Sequence, residues 1–126
     1  TVHGKMLLRI MQGEEYGKTY MLDDLISSSR SIITVGRYDE DVINDIPIVE
    51  EHSSYVSRKH CTIERNISNQ SWYIRDGQWE RGSTNGWKSS LNGTFLNSTE
   101  VNIRGTQLRD GDIISIGDVK LRVELY

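Results

Sequence analysis

ISIGDVKLRV, residues 114–123, is the stretch that decides the fold, because two short apolar runs flank a dipeptide that turns the chain. Apolar residues occupy every other position in both runs, as in strands that bury one face. Gly117-Asp118 between the runs suits the positive φ angles of a tight turn. The stretch predicts an antiparallel hairpin, which we expect to close a sheet.

Similar apolar runs, separated by clusters of Gly, Asn and Asp, recur along the whole chain. Their content of Ile, Val, Leu, Tyr and Trp favours strands over helices. Residues 22–31 are the one helix candidate, and three consecutive serines there favour a loop with at most one short turn. Pro47 lacks a ladder donor, so we expect its strand at a sheet edge. An all-β fold of two packed sheets follows. The predicted strands cover residues 6–11, 18–22, 31–35, 46–49, 61–65, 71–75, 94–96, 112–116 and 119–125.

The length of the chain, 126 residues, suits one domain. We expect a single domain over residues 1–126, with its core at roughly 6–125, excised from a larger protein. Residues 77–91 are predicted to form a long inserted loop, and loops of that length are usually functional.

Charge and cysteine content exclude several functions. The formal net charge is -3, so no global positive field attracts nucleic acid, and any anion site must be local. No stretch approaches the roughly 20 apolar residues of a membrane span. Cys61 is the single cysteine, which rules out an intrachain disulfide and favours an intracellular protein, cytoplasmic or nuclear. His3 and His52 show no metal-ligand spacing, so we expect no metal. For the reasons of charge and apolar content just given, we also expect no membrane or nucleic-acid partner.

Three polar motifs together suggest an anion-binding pocket. They are Gly36-Arg37, Ser57-Arg58-Lys59-His60 and Asn92-Gly93-Thr94. An arginine offers a planar fork of donors that fits phosphate oxygens, and a serine hydroxyl with loop amides can complete the site. An asparagine side chain can bind a peptide main chain.

These motifs, followed by Leu108-x-Asp110-Gly111-Asp112-x-Ile114-x-Ile116-Gly117, resemble the forkhead-associated (FHA) domain family. The resemblance spans roughly residues 6–125. It implies an FHA/SMAD-like β-sandwich of two twisted, mainly antiparallel sheets with about eleven strands. It also implies that loops at one end bind phosphothreonine in partner proteins during signalling, without a cofactor and without enzymatic activity.

The resemblance assigns roles to individual residues. Arg37 and Ser57 match the principal phosphate contacts of the family, and Arg58 lies where a second donor often occurs. Asn92 and Asn97 match residues that bind or extend contacts to the main chain of the ligand. The residues expected to support the pocket are Gly36, His60, Gly93 and Thr94.

Three departures from the family pattern limit what the resemblance implies. The long segment before the Asn-Gly motif creates a rival register, in which Asn85 and not Asn92 contacts the ligand. We favour Asn92 because a plausible strand and then Asn97 follow it. Leu91 replaces a threonine that contacts phosphate in some members, and Tyr55 replaces a basic residue, so both positions are expected to affect specificity.

Other functions remain as alternatives. The pocket could be vestigial in a phosphate-independent interaction scaffold. A Ser57–His60 hydrolase is disfavoured because no third group is marked that would orient the imidazole. Trp79 and Trp87 in the inserted loop either form an aromatic binding surface or fix the loop to the sandwich.

Overall fold

The computed structural model describes residues 5–82 and 86–126, and this part of the chain is an all-β fold with no α-helix. A single 3-10 turn, Leu22–Asp24, lies in the segment that was the helix candidate. No helix among the described residues is long and apolar enough to cross a membrane. The strands are β1 (Met6–Gln12), β2 (Thr19–Met21), β3 (Ile32–Arg37), β4 (Ile46–Ile48), β5 (Cys61–Arg65), β6 (Trp72–Asp76), β7 (Gln78–Trp79), β8 (Trp87–Lys88), β9 (Thr94–Leu96), β10 (Thr99–Val101), β11 (Thr106–Gln107), β12 (Ile113–Ile116) and β13 (Val119–Leu125).

The first sheet is antiparallel and has the strand order β10-β9-β12-β13-β1-β2. The predicted hairpin is its β12–β13 pair, in which Ile116 faces Val119 across the turn. Gly117 has a φ of +58° there. The hairpin lies inside the sheet and does not close it, because β9 pairs with β12 and β1 pairs with β13.

The second sheet has the order β11-β6-β5-β3-β4. Pro47 lies in β4 at the edge of this sheet, as predicted, and β4 runs parallel to β3. The two sheets hold the eleven expected strands. Two further strands, β7 and β8, pair as a separate hairpin within residues 77–91, where the sequence predicted a loop. The short strands β10 and β11 also escaped prediction, because β10 contains one apolar residue and β11 contains none, so neither shows an alternating pattern.

The core lies between the two sheets and is built from alternate residues of both. Each fully buried large apolar side chain contributes about 1.5–3 kcal/mol by leaving water. Every other residue of β12, and of β13 as far as Val123, is buried, which confirms the alternation in the sequence. The fully buried large side chains are Leu8, Ile10, Leu22, Ile33, Ile46, Ile48, Ile63, Trp72, Ile74, Ile114, Ile116 and Leu121. The rigid sandwich therefore holds the ends of β3 and β6, from which the site is built.

Candidate functional site

A cleft of about 740 Å³ lies where three connections between strands meet. The connections are those from β3 to β4, from β4 to β5, and from β6 to β9. Two segments border it, residues 54–60, called the first wall, and residues 88–94, called the second wall, and they line it through residues 54, 56–59 and 88–91. The cleft is lined by four cations, Arg37, Arg58, Lys59 and Lys88, and by two carboxylates, Asp41 and Glu80. The electrostatic balance at the cleft thus favours an anion although the whole chain is acidic.

Arg37 is the last residue of β3, and two bonds join it to the first wall. Its amide donates to the Ser57 carbonyl at 2.9 Å, and its Nε donates to the Val56 carbonyl at 3.0 Å. Among the described residues, no carboxylate lies within ion-pair distance of Arg37, and Asp39 pairs with Arg58 instead, at 3.9 Å. The guanidinium is therefore oriented by a main-chain oxygen while its charge is left without a paired carboxylate.

Gly36 is required because the first wall passes directly over it. A Cβ at this position would lie 2.0 Å from the Arg58 carbonyl oxygen and 2.9 Å from Asn44 Nδ2. Asn44 Nδ2 donates to that same oxygen at 2.7 Å. Only a residue without a side chain permits this contact between β3 and the wall. The sequence marked Gly36 as support but gave no sign of Asn44.

Ser57 and Arg58 lie at the mouth of the cleft. Ser57 Oγ accepts a hydrogen bond from the Leu91 amide at 3.0 Å, so the first and second walls touch here. The hydroxyl proton of Ser57 is still available for an acceptor, since the bond to Leu91 uses only a lone pair. Arg58 is about half exposed, with 53% of its side chain accessible. Leu91 is 85% exposed, so its side chain borders the cleft as an apolar surface.

His60 is fully buried and joins the two walls. Its Nδ1 accepts from the Ser57 amide at 3.0 Å, which leaves the proton on Nε2, and Nε2 donates to the Gly93 carbonyl at 2.8 Å. Burial lowers the pKa of His60, while the bond to Gly93 and the charge of Asp76 oppose that shift. Both ring nitrogens are thus bonded to main chain and neither contacts Ser57 Oγ, so the geometry gives no support to a serine–histidine nucleophile.

Asp76 organises the second wall, a role that the sequence did not indicate. This buried carboxylate accepts from Ser90 Oγ at 2.5 Å, from the Ser90 amide at 3.2 Å and from Thr94 Oγ1 at 2.7 Å. Ser90 Oγ in turn accepts from the Gly93 amide at 2.8 Å. Thr94 is fully buried. One carboxylate therefore determines the path of the main chain through the Asn-Gly turn.

The β7–β8 hairpin is fixed to the sandwich by side chains at its base. Gln78 is buried, and its Nε2 donates to the Val35 carbonyl at 2.8 Å and to Asn44 Oδ1 at 2.9 Å. Trp87 Nε1 donates to the Asp76 carbonyl at 2.9 Å, and its ring lies against the Arg75 guanidinium. Trp79 by contrast is 68% exposed. Of the two tryptophans, Trp87 is thus fixed to the sandwich while Trp79 faces solvent.

Of the three asparagines predicted to bind the main chain of the ligand, the structure places one in the second wall. Asn92 Nδ2 donates to the Tyr55 carbonyl at 2.9 Å, which joins the second wall to the first beside the residues that line the cleft. Asn97 lies in the β9–β10 turn with a φ of +50°. Its side-chain Nδ2 donates to Asp112, and its Oδ1 accepts from the Ile113 amide, so the structure does not bring the Asn97 side chain to the cleft. Asn85, the rival to Asn92, lies outside the described residues.

One grouping of metal-ligating side chains occurs among the described residues. Glu14, Glu51 and His52 place one ligand atom each within 4.8 Å of one another. All three are exposed, and Glu14 Oε2 already accepts from the His52 amide at 3.1 Å. We assign no function to this grouping, since exposed carboxylates often cluster without a metal ion.

The fold and the cleft are those of an FHA domain, and the chain belongs to this family. Its sequence matches the FHA domain over residues 33–117. FHA domains in general are phosphothreonine-binding modules that act in protein interactions and are not enzymes.

Solved structures support the same assignment. The FHA domain of an Arabidopsis thaliana hypothetical protein is 27% identical, with a TM-score of 0.66 over 95% of this chain and 84% of that one. The yeast Pml1 splicing factor is 26% identical, with a TM-score of 0.70 over 97% of this chain and 80% of that one. The FhaA FHA domain, complexed with the intracellular domain of Rv3910, is 23% identical over 94% of this chain and 99% of that one, and its TM-score of 0.61 supports the fold alone. A search of curated proteins finds no match.

Proposed function

We propose that this domain binds a phosphothreonine-containing segment of a partner protein in the cleft and thereby recruits that partner in intracellular signalling. The observation that carries the proposal is that the Arg37 guanidinium is oriented while its charge is not paired with a described carboxylate. Its Nε is bonded to a main-chain oxygen, and no described carboxylate neutralises its charge. A phosphorylated side chain carries about -1.5 to -2 charge and three acceptor oxygens, which match an oriented guanidinium.

Ser57 and Arg58 complete the proposed phosphate site. The hydroxyl of Ser57 accepts from Leu91 and keeps its proton for a phosphate oxygen. Among the described residues the Arg58 side chain has one partner, a loose pair with Asp39, so it can turn towards the ligand at little cost. Both residues line the same cleft as Arg37. These three donors differ in how firmly their side chains are held, and together they would bind one phosphate group.

Asn92 is proposed to bind the main chain of the ligand beside the phosphothreonine. Its Nδ2 is used by the Tyr55 carbonyl, and its Oδ1 accepts no bond from the described residues. That oxygen can accept from a peptide amide of the ligand. Tyr55 and Leu91, 61% and 85% exposed, are proposed to contact the flanking side chains. An apolar ligand residue would suit both surfaces.

The test is titration with a phosphothreonine peptide, its unphosphorylated form and its phosphoserine form. Wild-type protein is expected to bind the phosphothreonine peptide best. Arg37→Ala should weaken that binding about tenfold to hundredfold, since a charge-assisted hydrogen bond is worth about 1.5–3 kcal/mol. Arg104→Ala, which removes an exposed arginine from outside the cleft, is the matched control and should bind normally. Equal affinity for the phosphorylated and unphosphorylated peptides would instead indicate the phosphate-independent scaffold.

A further inference from the structure

A second group of cations lies in the same cleft, beyond the residues proposed to hold phosphothreonine. Lys59 comes from the first wall and Lys88 from β8 of the inserted hairpin. Their ammonium groups approach the two oxygens of one carboxylate, Glu80, with Lys59 Nζ 3.6 Å from Oε1 and Lys88 Nζ 3.8 Å from Oε2. Two lysines from distant parts of the chain thus converge on a single carboxylate.

The two contacts with Glu80 are ion pairs and not hydrogen bonds, because both exceed the usual 2.7–3.2 Å separation. The ammonium groups therefore keep donors for a closer acceptor. Lys88 is 58% exposed and Lys59 is 31% exposed, so a ligand can reach both. Within the cluster itself, two positive charges face one negative charge, which leaves a local excess of one positive charge beside the proposed phosphate site.

We infer that the Lys59–Glu80–Lys88 cluster is a second anion-binding site, which takes a phosphoryl or carboxylate group on the same peptide as the phosphothreonine. This inference rests on the proposed function, because it places both groups of one ligand in one cleft. Some family members carry a basic residue at the position of Tyr55, but the tyrosine of this chain supplies no positive charge there. The preference for a second anion thus arises from the inserted hairpin and makes the domain selective for multiply acidic segments.

The test is a peptide scan in which a second residue, moved from six positions before to six after the phosphothreonine, is phosphoserine, aspartate or serine. At low salt the best-placed anion should tighten binding about twofold to fivefold over serine, the range expected of partly exposed ion pairs. The gain should fall as salt rises. A gain with phosphoserine alone identifies a second phosphoryl group, and a gain with aspartate as well identifies any anion.

The decisive variant is Lys59→Gln combined with Lys88→Gln, which should abolish the gain while binding of the singly phosphorylated peptide persists. Lys18→Gln combined with Lys120→Gln is the matched control, since it changes the net charge equally at exposed sites outside the cleft and should keep the gain. Binding of the singly phosphorylated peptide with no gain at any position would overturn this inference alone. A gain that persists without the two cleft lysines would also overturn it, and a scan in which no peptide binds would overturn the proposed function as well.

Discussion

The two walls of the cleft are held in place in different ways. The first wall is hydrogen-bonded through its main chain to β3, by the Ser57 carbonyl to the Arg37 amide and by the His60 amide to the Val35 carbonyl. The second wall is paired with neighbouring described strands only at its ends, Lys88 and Thr94, and the turn between them is held by one side chain, Asp76, at the end of β6. Main-chain pairing determines the path of the chain closely. A wall held by a carboxylate leaves more freedom, and the β7–β8 hairpin is inserted on that side.

Three hydrogen bonds join these unlike walls. Leu91 donates to Ser57, Asn92 donates to Tyr55, and His60 bonds both Ser57 and Gly93. Only His60 is buried, whereas the other two bonds lie at the exposed rim. The comparison therefore predicts that damage to the first wall costs most, damage to the second wall costs less, and protonation of the joining histidine costs least.

The largest effect is expected from Gly36→Ala, which acts on the first wall. The new Cβ would lie 2.0 Å from the Arg58 carbonyl oxygen, so β3 and the wall must separate. We expect the free energy of unfolding to fall by about 3 kcal/mol, the upper part of the usual range for overpacking. Urea unfolding followed by tryptophan fluorescence measures the loss.

Gly17→Ala is the control for this substitution. Gly17 has a φ of +89° but no atom within 4 Å of its added Cβ. It should therefore lose only about 1 kcal/mol from backbone strain. A Gly36→Ala protein as stable as the control would show that the first wall is not held tightly against β3.

The sequence predicted the first wall better than the second, because the two walls are held in different ways. Ser57, Arg58 and His60 form a short continuous motif, and β5 begins as predicted directly after it. The second wall depends on residues far apart in sequence, since Asp76 lies 14 positions before Ser90 and 18 before Thr94. Single-sequence patterns do not reveal such pairs. The sequence pattern also did not predict the hairpin strands β7 and β8, which have two residues each.

Asn97 shows a further limit of the sequence motif. Its place after a predicted strand was identified correctly, because β9 ends at Leu96. The direction of its side chain was not predictable, since that depends on Asp112 from a different hairpin. Strands that contain two or more apolar residues in an alternating pattern could thus be predicted from periodicity, together with where they end. Side-chain partners that cross between hairpins could not.

An intermediate effect is expected from Asp76→Asn, which acts on the second wall. The amide group cannot accept at both positions, so the Ser90 amide or its hydroxyl loses its partner. We expect a loss of about 1.5–3 kcal/mol, the value of a hydrogen bond to a charged group. Hydrogen exchange should quicken at the amides of Ser90 and Gly93 more than at those of Arg37 and His60.

The matched control is Asp110→Asn. Asp110 is exposed and, within the described part of the chain, accepts one bond, from the Leu125 amide at 2.9 Å. Its substitution should leave both walls protected from exchange. Equal quickening of exchange in the two walls of Asp76→Asn would show that the walls are one cooperative unit and are not held independently.

The smallest effect concerns pH and tests the join between the walls. Burial holds the pKa of His60 below its ordinary value of about 6.5, so the folded protein keeps this histidine neutral while the unfolded chain protonates it. The stabilisation is complete above that ordinary value and is lost as pH falls towards the pKa of the folded state. Between pH 7.5 and 5.5 we expect a loss of about 1 kcal/mol, because the limiting slope is about 1.4 kcal/mol per pH unit.

Protonation of Nδ1 would also break the bond from the Ser57 amide, so acid should separate the walls where they are joined. His60→Gln should remove this part of the pH dependence, whereas His52→Gln, at an exposed histidine, should retain it. Titration of the His60 ring by NMR in the wild-type protein gives the same answer without a substitution. A ring that titrates near the ordinary value, with Ser57 and Gly93 unaffected, would show that the walls are held together by their exposed rim and not by His60.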